Sequence, residues 1–152
     1  IALFVVGFTS ALTQGVLMSR LLQHFGEMRL AIIGMASSAV INLAYGFTTQ
    51  STLLYILILL NFLSFASNPA LNTVISKASS DREQGLTQGA LNAINSIMIV
   101  VAPIIGSSLL AVVSHLPKDN WQMGITFFVS ASLQLVAVLI AIWHVKNNTK
   151  TR

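Results

Sequence analysis

Charged side chains are scarce in this sequence, and cysteine is absent. Asp, Glu, Lys and Arg make up 8% of the 152 residues, whereas soluble domains carry about 25%. So few ionised groups cannot cover the surface of a soluble domain of this size, so that class is excluded. The absence of cysteine also excludes disulfide bonds, thiolate chemistry and zinc–thiolate sites.

Motifs for catalysis and cofactor binding are missing as well. His24, His115 and His144 are dispersed without metal-ligand spacing, and the sequence has neither a G-x-G-x-x-G motif nor a P-loop. A membrane-embedded enzyme would need His, Asp, Glu or Cys inside its apolar segments, and only His144 lies at the end of one. We therefore predict no enzyme activity, no metal and no cofactor.

Long uncharged tracts dominate what is present. No charge occurs in 1–19, 30–76, 84–117 or 120–145. A bilayer core takes about 20 apolar residues per helix, so 30–76 is long enough for two crossings and each other tract for one. The alternating strands of a membrane barrel, about 10 residues long, do not fit. The sequence predicts an all-α membrane protein with five transmembrane helices, at about 1–19, 30–48, 52–76, 84–113 and 121–145, and a tail at 146–152.

The basic residues lie on one side of this predicted topology. The connections 20–29 and 77–83 and the tail 146–152 hold seven of the 8 Lys and Arg residues, and the other loops hold only Lys118. The positive-inside rule then predicts a cytoplasmic C-terminus in the cell inner (plasma) membrane. The excess of basic residues gives the pI near 10. Their position beside anionic lipid headgroups accounts for that excess. We therefore expect the lipid bilayer as a partner and no nucleic acid.

Uncharged polar side chains recur inside the predicted spans. They fall within arcs of about 80° in the third span and about 100° in the fourth, since a helix turns about 100° per residue. Placing an amide side chain against lipid costs several kcal/mol of free energy, because its hydrogen bonds are unmet. These groups must therefore face protein or water. They either bond neighbouring helices or, as we favour for the asparagine-rich stripes, line a substrate cavity. The candidate cavity residues are Thr13, Gln14, Asn61, Ser64, Asn68, Gln88, Asn92, Asn95 and Ser96.

Small residues, prolines and caps predict how the helices meet and end. Small or short residues four apart predict close helix packing, in the rows Gly34, Ser38, Asn42, Gly46 and Gly85, Gly89, Ala93. Pro69 and Pro103 lie inside spans, where each removes a backbone amide and forms a plain kink or a hinge.

Ser80 and Glu83 have capping-box spacing before the fourth span, and Asn120 is placed to cap the fifth.

Several motifs resemble those of major facilitator transporters. Gly26-Glu27-Met28-Arg29 is similar to the loop between helices 8 and 9 of that family. Asp81-Arg82-Glu83-Gln84-Gly85, followed by Gln88-Gly89, resembles the helix 10–11 region of its tetracycline/drug:proton antiporter branch. Pro103-Ile104-Ile105-Gly106 resembles the Gly-Pro-Leu motif of helix 11 in that branch, with Ala102 in place of the glycine.

This resemblance implies that the chain is helices 8 to 12, the C-terminal half of a twelve-helix fold. We expect the N-terminal half upstream, because Ile1 starts within an apolar run without Met or a basic leader. The first, third and fourth spans would line the central cavity, and the second and fifth would pack outside it. The loop charges would form a cytoplasmic gate between the halves, or serve only topology and helix capping. They are Arg20, Glu27, Arg29, Asp81, Arg82 and Glu83.

We predict a secondary active transporter that moves a small amphipathic, drug-like molecule out of the cell by alternating access. Proton coupling is implied by the resemblance alone. Tetracycline exporters of the branch carry an acid at the position matching Ser38, which argues against tetracycline as the substrate. The spans hold no cation for an anionic substrate. The alternatives are a carrier for a metabolite, such as a sugar or organic acid, and a non-transporting membrane scaffold.

Overall fold

The computed structural model describes residues 2–80, 82–117 and 120–148, which are helical apart from short connections. Within these ranges, 5 helical stretches are long and apolar enough to cross a membrane. The predicted all-α architecture with five transmembrane helices is therefore confirmed. The five spans are Leu3–Phe25, Glu27–Phe47, Thr52–Ala78, Gln84–Val113 and Trp121–Asn147. The helices are α1 (Ala2–Leu12), α2 (Met18–Phe25), α3 (Glu27–Phe47), α4 (Ser51–Leu60), α5 (Phe62–Ala78), α6 (Gln84–Val113) and α7 (Ile125–Asn148).

The first span remains helical beyond the predicted end near residue 19. α1 passes through a π-helical turn at Thr13–Leu17 into α2, which continues to Phe25. Leu21, Leu22 and Phe25 pack against the buried cluster of α3 and α5, whereas Arg20 is exposed. Burial of these apolar side chains stabilises a helix here, although the charged and polar residues of the segment suggested a loop.

Gly26 alone connects the first span to the second. Its φ of 74° and ψ of 163° lie in a region that is essentially restricted to glycine. Its N–H donates to the Leu22 carbonyl at 2.9 Å, and its carbonyl accepts from the Leu30 N–H at 3.0 Å. One residue therefore ends α2 and begins α3, so the predicted connection 20–29 consists mostly of helix ends.

α3 packs against both α5 and α7 and holds the bundle together. Leu30 and Ala31 of α3 are fully buried in a cluster with Ala66 and Ala70 of α5. A Cβ atom at Gly34 would lie 2.7 Å from the Leu63 carbonyl oxygen. Since helices in membranes associate through close packing rather than a hydrophobic driving force, these small residues determine how closely α3 and α5 approach.

The far end of α3 contacts the start of the last span. The Asn120 side chain accepts a hydrogen bond from the Gln122 backbone N–H at 3.0 Å, which confirms the predicted cap. A 3₁₀ turn at Trp121–Gly124 then leads into α7. A Cβ atom at Gly124 would lie 2.6 Å from Gly46 Cα. The small-residue row of α3 thus packs against α5 near one end and against the last span near the other.

The third span is interrupted at Asn61 and not at its proline. The Asn61 N–H is shared between the Leu57 and Ile58 carbonyls, at 3.0 and 3.2 Å, and α5 starts at the next residue. Pro69 and Pro103 lie inside the uninterrupted helices α5 and α6. The breaks in regular helix are therefore at Asn61 and at the π turn of the first span.

α6 is the most exposed span. Residues 92–100 are all exposed, and nine consecutive residues cover every side of a helix over more than two turns. A Cβ atom at Gly85 or Gly89 would meet nothing within 4 Å. In the part of the chain that the structure describes, no helix packs on the predicted small-residue row of α6.

Candidate substrate-binding site

A polar cavity of about 590 Å³ lies between the first, second, third and fifth spans, although the resemblance placed the second and fifth spans outside the central cavity. Its size falls within the range of about 300–1,000 Å³ that is usual for small-molecule sites. Every residue that lines it is uncharged. The lining residues are Ser10, Gln14, Met35, Ser38, Ser64, Phe65, Ser67, Asn68, Pro69, Leu71, Asn72 and Gln134.

α5 contributes a polar stripe to this cavity. Ser64, Asn68 and Asn72 are four residues apart, so they lie on one face of the helix and all line the cavity. Pro69 lacks an N–H and cannot donate to the Phe65 carbonyl, and both of these residues line the cavity too. The α5 wall thus combines amides and a hydroxyl with a carbonyl that has lost its usual helical donor.

The first span contributes its π-helical turn. Gln14 lies within this turn and lines the cavity, and its Nε2 donates to Ser10 Oγ at 2.9 Å. π turns within α-helices occur frequently at functional sites. The neighbouring Thr13 is 1% exposed and donates to the Thr9 carbonyl at 2.8 Å. The structure therefore brings Gln14 to the cavity and places Thr13 in a helix contact.

A hydrogen-bonded group closes the side formed by α3 and α7. Ser38 Oγ donates to Gln134 Oε1 at 2.9 Å. Asn42 Nδ2 donates to the Ser38 backbone carbonyl at 2.9 Å and lies 3.4 Å from Gln134 Oε1. Ser38 is 7% exposed, and both Ser38 and Gln134 line the cavity. These bonds join two helices and hold a glutamine amide at the cavity wall.

The other predicted cavity residues lie elsewhere. Asn61 lies at the helix break, and its Oδ1 is buried without a hydrogen-bond partner in the described structure. Three of the four predicted residues of α6 are exposed, and Gln88 is half-buried. The residues of α6 that do not reach the cavity are Gln88, Asn92, Asn95 and Ser96. The α5 and α6 stripes, similar in sequence, therefore do not share this cavity.

The predicted gate residues that the structure describes lie at or near the ends of the helices. Lys77, at the end of α5, forms an ion pair with Glu27, the first residue of α3. Arg20, Arg29 and Arg82 are exposed, and Asp81 lies outside the described residues. The ion pair links the second and third spans at the end of the bundle where the predicted gate charges cluster.

The turn before α6 differs from the predicted capping box. Ser80 Oγ donates to Glu83 Oε2 at 2.8 Å, and the Glu83 N–H donates to the Ser80 carbonyl at 2.9 Å. The side chain of Glu83, at the N-cap position, makes no capping hydrogen bond to α6, which begins at Gln84. The two side chains bond each other because the intervening turn already satisfies the Glu83 amide.

Gln134 lines the cavity but is not among the cavity residues predicted from the sequence, although a signal was present. Gln134 is the one amide between residues 125 and 145, in an apolar helix. The cost of placing an amide against lipid applies to it as it does to the asparagine stripes. A lone amide forms no stripe, yet here it lies at the cavity.

Comparisons with known proteins agree with a helical membrane protein. The profile of the Major Facilitator Superfamily matches residues 1–152. The chain is 28% identical over 138 residues to "Tetracycline resistance protein, class C" of Escherichia coli, covering 91% of this chain and 34% of that protein. It is 26% identical over 140 residues to the class E protein of the same organism, covering 92% and 33%.

A mammalian relative is also similar. The chain is 30% identical over 125 residues to "Proton-coupled folate transporter" of Rattus norvegicus, covering 81% of this chain and 26% of that protein. No solved structure matches the chain significantly. The chain spans about a third of the length of the tetracycline resistance proteins it matches. With a family match over its whole length and five apolar helices long enough to cross a membrane, this chain is a multi-pass membrane protein that belongs to the Major Facilitator Superfamily of transporters.

Proposed function

We propose that the protein exports a small amphipathic, drug-like molecule by alternating access, driven by a proton gradient. The observation that carries this proposal is the cavity of about 590 Å³, whose lining offers hydroxyl and amide groups beside apolar surface and no charge. Such a wall orients a neutral or weakly cationic molecule through hydrogen bonds and apolar contact. The similarity to two tetracycline resistance proteins supports export.

In this proposal the five spans of the chain belong to one of two halves that rock around the site. Its partner is the N-terminal half of the same protein, and its C-terminus is cytoplasmic. Glu27, Lys77 and the exposed arginines then lie at the cytoplasmic end, where they form the gate. Apart from His144 at the end of the fifth, the predicted spans hold no acid or base, so in this proposal the group that binds the coupled proton lies in another part of the protein. Pro69 and Pro103 act as hinges only if they bend in another state of the cycle.

A metabolite carrier is the second candidate, and one observation favours it. The chain is similar to a protein named as a folate transporter, and folate is an organic acid. An anionic substrate calls for a cationic side chain, and none lines the cavity. We therefore rank drug-like export first.

The test uses the full-length protein in an efflux-deficient bacterial strain. Accumulation of the cationic dye ethidium is followed with and without a protonophore, for wild type, Asn68→Ala and Asn92→Ala at matched expression. We expect protonophore-sensitive efflux that Asn68→Ala lowers severalfold, because Asn68 lines the cavity. The matched Asn92→Ala change reports whether the exposed stripe of α6 also contacts the substrate. Wild-type protein that is inserted but exports no dye would contradict the proposal and favour the metabolite carrier.

A further inference from the structure

Two spans are interrupted in the middle, and the interruptions lie at similar depths. Gln14 of the π turn in the first span and Ser64, three residues after the Asn61 break in the third, line the same cavity. Each interruption divides its span into two helices, α1 and α2 in the first and α4 and α5 in the third. Because consecutive spans cross the membrane in opposite directions, the first and third run parallel. α1 and α4 therefore lie on the same side of the two breaks.

The helices on the two sides of the breaks pack differently. α2 packs against the fully buried cluster that α3 and α5 form, and neither α1 nor α4 contributes a residue to this packing. α1 contacts α4, whereas α3 contacts α5 far more extensively than it contacts α4. α2, α3 and α5 thus form one tightly packed body, and α1 and α4 form a pair that is more loosely attached to it.

The hydrogen bonds at the breaks allow the helices to change direction there. In a regular α-helix each N–H donates to the carbonyl four residues earlier, so a sharp bend loses such bonds. The Asn61 N–H is instead shared between the Leu57 and Ile58 carbonyls, at 3.0 and 3.2 Å. A π turn such as Thr13–Leu17 is likewise a known cause of kinks in helices. Both breaks can therefore bend with little loss of hydrogen bonding.

Two buried oxygens near the breaks have no partner in this arrangement. Thr9 Oγ1 in α1 and Asn61 Oδ1 make no hydrogen bond within the described residues, and Thr9 is 5% exposed. By contrast, the Thr13 and Thr73 hydroxyls each donate to the carbonyl four residues earlier. A buried polar group without a partner raises the free energy of the arrangement that contains it. An arrangement of α1 and α4 that gives either oxygen a partner recovers that free energy.

We propose that α1 and α4 tilt together about the π turn and Asn61, and that they form a local gate at the end of the bundle opposite Gly26. This inference rests on the proposed function in one respect, because it takes the protein to work by alternating access. In the proposed orientation the gate lies at the outer face of the membrane. The body formed by α2, α3 and α5 stays in place while the gate moves.

The length of α4 sets the size of the expected movement. α4 has 10 residues and is about 15 Å long at about 1.5 Å per residue. A change of about 20° at Asn61, the size of a sharp helix kink, therefore moves the far end of α4 by about 5 Å.

The experiment measures distances between two spin labels by pulsed EPR, in the full-length protein in lipid nanodiscs on a cysteine-free background. The gate pair is Leu53 of α4 with Gln122 of the last span, which packs on α3; both residues are exposed. We expect the gate pair to show two distance populations about 5 Å apart, and Phe4 of α1 with Gln122 to do the same. The reference pair, Gln23 with Ser80 at the opposite end of the bundle, should show one distance, and so should Phe4 with Leu53. No ligand is added, so the result does not depend on export of the dye.

Asn61→Leu tests whether the break causes the movement. Leucine favours a continuous helix, and the change removes one unpartnered oxygen, so we expect the gate pair to show a single distance. Asn95→Leu makes the same change inside the uninterrupted helix α6 and should retain both populations. An unchanged reference-pair distance shows that Asn61→Leu is folded, because the reference pair lies on the body and not on the gate.

Thr9→Val tests the second oxygen. Valine keeps the shape of the side chain and removes the hydroxyl, so the tilted arrangement loses the hydrogen bond that favours it. We expect a larger share of the gate-pair distance that corresponds to the present structure. The control is Thr73→Val in α5, whose hydroxyl already bonds the Pro69 carbonyl at 2.9 Å, and it should leave the shares unchanged.

The proposal is overturned if the gate pair of wild type shows one distance, or if folded Asn61→Leu retains both populations. A purely structural role, in which Asn61 bonds another part of the protein, predicts lower stability of Asn61→Leu with unchanged distances. Two gate populations in a protein that exports no dye would support the gate and contradict the proposed export. Dye export with a single gate distance would do the reverse.

Discussion

Ser38 on α3 and Gln134 on α7 are joined by a hydrogen bond of 2.9 Å across 96 positions of sequence. The bond connects two spans that are far apart in sequence. It also lies at the wall of the candidate substrate cavity. The same pair therefore affects the stability of the bundle and the chemistry of the site.

A double-mutant cycle should detect the coupling of this pair. Ser38→Ala and Gln134→Met each remove the bond, and we expect a coupling free energy of about 0.6 kcal/mol, with an upper bound of about 1.7 kcal/mol. The measurement is reversible unfolding of the full-length protein in mixed micelles. Strictly additive effects would mean that the bond contributes nothing measurable to stability.

Gly34→Ala should destabilise the protein, because the added methyl would lie 2.7 Å from the Leu63 carbonyl oxygen. A backbone atom cannot move aside cheaply, so we expect a loss of about 1–3 kcal/mol. The control is Gly89→Ala, where a Cβ atom would meet nothing within 4 Å, and we expect little change. The midpoints of thermal unfolding of the two variants are compared. A loss for Gly89→Ala equal to that for Gly34→Ala would show that another part of the protein packs on α6.

Gly26→Ala should also destabilise the protein. The reason is the backbone conformation at this position and not a clash between helices. A Cβ atom at Gly26 would meet nothing within 4 Å, but its φ of +74° is strained for any other residue. We expect a cost of about 1–3 kcal/mol, measured from unfolding in the same micelles. Gly7→Ala, inside α1 with open space around it, is the control. Equal stability of Gly26→Ala and wild type would contradict the assigned turn.

The proposed orientation can be tested directly, because this chain has no cysteine. On a cysteine-free background, Ser80→Cys and Ser114→Cys place single thiols in exposed turns at opposite ends of α6. We expect a membrane-impermeant maleimide to label Ser114→Cys in intact cells and Ser80→Cys only after permeabilisation. The reverse pattern would place the C-terminus outside and overturn the predicted topology.

The five spans follow from the sequence, and they are confirmed by the structure. The reason is local: an uncharged stretch of about 20 residues crosses a bilayer whatever its neighbours are. The Asn120 cap was predictable for a similar reason, since a cap bonds an amide two residues away. The continuous helix through Arg20 was not, because it depends on Leu21 and Phe25 packing on other spans.

The membrane class, the number of spans and the presence of polar groups within them were determined by the sequence alone. Which of those groups share a cavity was decided only by the tertiary structure. Asn68 and Asn92 look alike in sequence, yet only Asn68 lines the cavity. Gln134 also lines this cavity, although the sequence of its span shows no stripe of amides. The physical reason is that hydropathy determines the depth of each helix in the bilayer, whereas its neighbours and rotation depend on side-chain contacts between spans, such as Gly34 with α5 and Ser38 with α7.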